Sequence, residues 1–73
     1  EKEPAPRTQT NLVIYDVQGR VVKHLFEGKL PPGGHRFAWD GRGDRAEPAA
    51  SGIYFYRLQS GGLTATRKML LIK

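Results

Sequence analysis

Seventy-three residues leave room for one small domain and no second. With no cysteine, neither a disulfide nor a thiolate metal site can staple so small a core, and no apolar run approaches the roughly 18 residues of a membrane-spanning helix. Twelve Lys and Arg against seven Asp and Glu give a net charge of +5, yet only Arg67 and Lys68 are adjacent, which fits solvated strand faces and turns rather than a nucleic-acid footprint.

The chain opens with Glu1-Lys2-Glu3-Pro4-Ala5-Pro6, which reads as a linker tail and implies a domain cut from something longer. From Thr10 a period of two places Leu12 and Ile14 on one face and Asn11, Val13 and Tyr15 on the other, the signature of a strand with one apolar side. Asp16-Val17-Gln18-Gly19 is a four-residue β-turn, Asp opening it and Gly closing it where positive φ is easy. Arg20 to Phe26 returns as the second arm of a hairpin. Val22 and Leu25 are three apart, so strict alternation fails and a bulge or strand end is expected.

Glu27-Gly28 and Pro31-Pro32-Gly33-Gly34 bracket a segment that reads as a crossover loop, since proline supplies no ladder donor. His35-Arg36-Phe37-Ala38-Trp39 is the next predicted strand, with His35, Phe37 and Trp39 on one face and Trp39, the single tryptophan, assigned to the core. Asp40-Gly41 stops it, and Arg42 to Ser51 is a long polar loop. The densest strand-forming run follows at Gly52 to Leu58: Tyr54, Tyr56 and Leu58 point one way, Ile53 and Phe55 the other. Ser60-Gly61-Gly62 is a tight hairpin turn leading into Leu63 to Lys73. No stretch of ten residues carries an uninterrupted helical period, so five short strands predict an all-β antiparallel sandwich with Leu12, Ile14, Val22 and Trp39 in its core.

Four stretches then carry a family resemblance: Tyr15-Asp16-x-x-Gly19-Arg20-x-Val22; Pro32-x-Gly34-His35 leading to Trp39-Asp40-Gly41; Ser51-Gly52-x-Tyr54-x-Tyr56-x-Leu58; and Lys68-Met69-Leu70-Leu71-Ile72-Lys73. Over about residues 10–73 the chain resembles the immunoglobulin-like C-terminal domain shared by the flagellar hook-capping protein and the type A C-terminal sorting domains of proteins exported by the type IX secretion system. The resemblance implies a small immunoglobulin-like β-sandwich and a non-enzymatic role as a sorting or surface-attachment domain of a bacterial exported protein, extracellular or on the cell surface, whose partner is the secretion machinery. Its alternative is a structural assembly module, hook-cap-like or completed by a strand from a neighbouring subunit. In either case the recognition hairpin comprises Gly52, Tyr54, Tyr56 and Leu58 with Lys68, Met69, Leu70, Ile72 and Lys73.

Such domains usually begin with a further strand introduced by an Asn-Pro-containing segment, and here a Pro-rich tail takes that place. Residues 1–9 are therefore a linker or a degenerate edge strand, with Arg7 to Thr10 as its candidate, and residues 10–73 the domain proper. A missing strand would leave unpaired donors and acceptors beside apolar surface, the condition for donor-strand addition.

The remaining motifs have structural explanations. Arg42-Gly43-Asp44 matches an integrin-type tripeptide in a loop that uses these residues for turns. Asp40, Asp44 and Glu47 lack the alternating oxygen ligands of a calcium loop. His24 and His35 have no carboxylate placed beside them by sequence, and neither Ser51 nor Ser60 sits in a nucleophile elbow. No catalytic residue, cofactor or metal ligand is assigned. A third reading, a basic domain for nucleic acid or anionic polysaccharide, rests on charge alone.

Overall fold

The computed structural model describes residues 8–31 and 34–72. Four strands form one antiparallel sheet: β1 (Thr8–Tyr15), β2 (Val21–Leu30), β3 (Gly52–Ser60) and β4 (Leu63–Leu71). Their order is β2-β1-β3-β4, so β1 and β3 are interior and β2 and β4 are edges. Among the described residues there is no helix, and no helix is long and apolar enough to cross a membrane. The all-β, antiparallel class expected from the strand patterns is the class found. Of residues 1–9, read as a linker or a degenerate edge strand, 1–7 lie outside the described residues. Thr8 to Thr10 belong to β1 and pair with β2 through Leu30 to Gly28, and Thr10 pairs also with Ser60 of β3.

The period of two in β1 sets the core. Thr10, Leu12 and Ile14 are buried, Ile14 at 1% exposure, and their partners across β3 are Ser60, Leu58 and Tyr56. This is the groove face of the sheet. Its one buried polar side chain, Thr10, is satisfied: its Oγ1 donates to the Thr8 carbonyl at 3.0 Å or pairs with Ser60 Oγ at 3.0 Å. On the outer face, Val13, Tyr15 and Phe55 are half-buried, and the Arg57 guanidinium lies 5.1 Å from the centre of the Tyr15 ring.

Val22 and Leu25 explain the broken alternation of β2. The β1–β2 register skips both residues, stepping from Phe26 to His24 and from Lys23 to Val21. Two bulges thus separate side chains three apart: Leu25 lines the groove with Leu12 and Ile14, and Val22 lines a second hollow with Ala49 and Tyr54. The β1–β2 turn closes as its residues demand: Gly19 has φ 83° and donates to the Asp16 carbonyl at 3.0 Å. Asp16 Oδ1 accepts from the Gln18 and Arg20 amides, each at 2.9 Å.

Two expectations need correcting. Glu27 to Leu30, read as a crossover loop, continues β2, because Gly28 is tolerated opposite Thr10 and the first residue unable to donate is Pro31. The fifth strand at His35 to Trp39 is not paired; residues 34–40 carry no ladder. The alternating side chains His35, Phe37 and Trp39 line the groove face without being buried there, and no described segment pairs alongside. Among the described residues no second hydrogen-bonded sheet covers the groove face, and Trp39, assigned to the core, is only half-buried. Val22, also assigned there, is half-buried too, at the edge of the sheet.

Candidate protein interface

Segment 34–40 lies along the groove face. Phe37 tilts against Phe26 with ring centroids 5.2 Å apart, and Trp39 meets Tyr54 edge-on at 5.1 Å. Each end is tied. His35 Nε2 hydrogen-bonds with the Pro31 carbonyl at 2.8 Å, and the Trp39 indole N–H donates to the Arg42 carbonyl at 2.8 Å. Tyr54, buried at the start of β3, donates its hydroxyl to the Ala50 carbonyl four residues upstream at 2.6 Å, pinning the loop to the sheet.

Between this segment and the strands runs an apolar groove of about 610 Å³, floored by Leu12, Ile14, Tyr56, Leu58 and Met69 and walled by Leu25, Phe37 and Trp39. Phe37 remains 39% exposed along it. Only Leu12, Ile14 and Tyr54 are buried apolar side chains among the described residues. That is a small core for the two-layer sandwich expected from the sequence.

The residues expected to form a recognition hairpin sit on adjacent strands. Gly52, at φ 150°, opens β3 in a conformation that L side chains rarely adopt. In the β3–β4 ladder Tyr54 pairs with Met69, Tyr56 with Arg67 and Leu58 with Ala65 on the groove face; Ile53 pairs with Leu70 and Phe55 with Lys68 on the outer face. Ile72 follows the strand and is 77% exposed. Lys73 lies outside the described residues.

Loop 41–48 is more ordered than its polarity suggests. Arg42 and Pro48 form an isolated bridge, and Gly43 donates to the Glu47 carbonyl at 2.8 Å. Gly43 is buried, and a Cβ there would run into the Glu47 carboxylate. The three carboxylates that invited a cation reading serve separate donors: Asp40 the Arg42 amide, Glu47 the Arg45 amide, and Asp44 the edge of β2. No group of three or more metal-ligating side chains converges among the described residues.

Asp44 is the partner that sequence did not place beside His24, twenty positions away. Its amide donates to the Val22 carbonyl at 3.1 Å. Its Oδ1 accepts from the His24 amide at 2.9 Å, and its Oδ2 lies 2.7 Å from His24 Nδ1. Hydrogen bonding from the His24 backbone and then its ring holds the Asp44 carboxyl below its ordinary pKa. The Arg42-Gly43-Asp44 tripeptide therefore presents a carboxylate already engaged within the fold.

Against known families, the model described as FlgD Ig-like domain matches residues 2–62, from the tail to the β3–β4 turn. The chain belongs to the FlgD Ig-like domain family. That places it with the flagellar hook-capping side of the resemblance, and β4 lies beyond the matched stretch. No curated protein and no solved structure matches the chain.

Proposed function

We propose that this domain is a non-enzymatic assembly module of the hook-cap kind, working outside the cell in a flagellum-associated structure, and that its groove is closed by a strand from a neighbouring copy. The family match supports the hook-cap reading; the secretion-sorting reading has no observation in its favour beyond the resemblance. The observation that carries strand completion is the unpaired segment 34–40 over a groove of about 610 Å³. A segment that forms no ladder among the described residues and is set along an apolar cleft is a template to which a strand adds. In this reading the β3–β4 hairpin supplies the contact surface: Tyr56, Leu58 and Met69 toward the groove, Lys68 and Leu70 on the outer face.

Trp39 provides the test, since it walls the groove and is the single tryptophan. Sedimentation velocity and Trp39 emission are followed together from micromolar to millimolar chain. Association accompanied by a blue shift is expected. A chain that stays monomeric with unchanged emission across that range would refute strand completion by a neighbouring copy.

A further inference from the structure

The free edge of β4 is a second surface, separate from the groove. Its nine residues pair with β3 without a register shift, and no strand lies on the other side among the described residues. Neither proline nor bulge blunts this edge, and the charges of Arg67 and Lys68 are what it carries against its own copies. Leu63 near one end and Leu70 near the other are 77% and 61% exposed. At the centre Arg67 and Lys68, both exposed, stand on opposite faces, and no acidic residue occurs from Gly61 to Lys73.

This charge pattern selects the occupant. If a second copy added antiparallel with full overlap of Leu63–Leu71, Arg67 would stand across from Arg67; slipped by one residue, Arg67 would stand across from Lys68. Like charges directly opposite destabilise a strand pair, and opposite charges stabilise it. Self-pairing here is disfavoured where pairing with an acidic strand is favoured.

We infer that the β4 edge accepts an extended segment of a protein partner, apolar toward its ends and carrying carboxylates opposite Arg67 and Lys68. The inference rests on the hairpin part of the assembly reading and not on the groove.

The probe is a synthetic peptide of alternating valine and threonine with Asp-Glu at its centre, and the control is the same peptide with Lys-Lys. Hydrogen exchange of the full chain is expected to show amides in 63–71 protected by the acidic peptide alone. Arg67→Glu combined with Lys68→Glu should reverse the preference, weakening the acidic peptide by about tenfold or more, since two cross-strand pairs change sign. Should that variant fail to fold by circular dichroism, Arg67→Gln with Lys68→Gln should abolish discrimination between the peptides. The inference is overturned if neither peptide protects 63–71, if both protect it equally, if unstructured poly-glutamate or a nucleic acid does so as well as the acidic peptide, or if chain concentration alone does so. Trp39 emission reports on the groove independently, so failure at the edge and failure of strand completion are distinguishable.

Discussion

At the β2 edge, two bulges break the ladder and Asp44 takes up the outward His24 amide and Val22 carbonyl, whereas along β4 nine residues carry their outer backbone groups with no strand beside them among the described residues. Sheets must avoid edge-to-edge aggregation, and one edge here does so by bulges and a covering loop. The other has only the Arg67 and Lys68 charges to discourage its own copies. The same asymmetry holds in depth: β1 buries Thr10, Leu12 and Ile14, while β4 buries no side chain. One half of the molecule is finished as a fold, and the other is left as a surface.

The largest expected effect lies on the finished half. Ile14→Ala, at the most buried position, should cost about 2–5 kcal/mol in denaturant unfolding, and Leu70→Ala on the open half should stay within about 0.5 kcal/mol. Equal costs would erase the contrast. Trp39→Ala should cost about 2 kcal/mol, below the value for a fully buried ring because one side faces the groove. Tyr54→Phe removes only the hydroxyl donated to Ala50, for about 1 kcal/mol by thermal melting. Ala46 holds φ 64° in loop 41–48, so Ala46→Gly should gain about 0.5 kcal/mol by relieving left-handed strain.

The guard on β2 should also respond to acid. A carboxylate whose folded pKa is depressed contributes fully above the ordinary Asp value, and that contribution is lost as pH falls through the lowered folded value. Protection of the His24 amide, relative to an unstructured chain at the same pH, should therefore fall below the ordinary carboxylate range, and Asp44→Asn should flatten that pH dependence. An acid response unchanged by Asp44→Asn would assign the guard to another group.

Much of this asymmetry is legible in sequence because it is local. Alternation over Leu12 and Ile14 and over Tyr54, Tyr56 and Leu58 reports which face is covered, and the three-residue gap between Val22 and Leu25 reports a bulge. Pairing is not local. The pattern of His35, Phe37 and Trp39 shows an apolar side but says nothing about whether a neighbour supplies hydrogen bonds, so a strand is expected where only extended chain is found. Glu27-Gly28 resembles a stop signal, yet an edge strand tolerates glycine. The His24–Asp44 contact joins residues twenty apart through the docking of a loop, and no spacing rule points to it.

Amide exchange across residues 34–40, measured as chain concentration rises, tests strand completion most directly. Strand completion predicts rapid exchange in the dilute chain and protection of these amides on association, with 63–71 unchanged in the absence of an acidic strand. Amides at 34–40 that remain unprotected while the chain associates through another surface would contradict it.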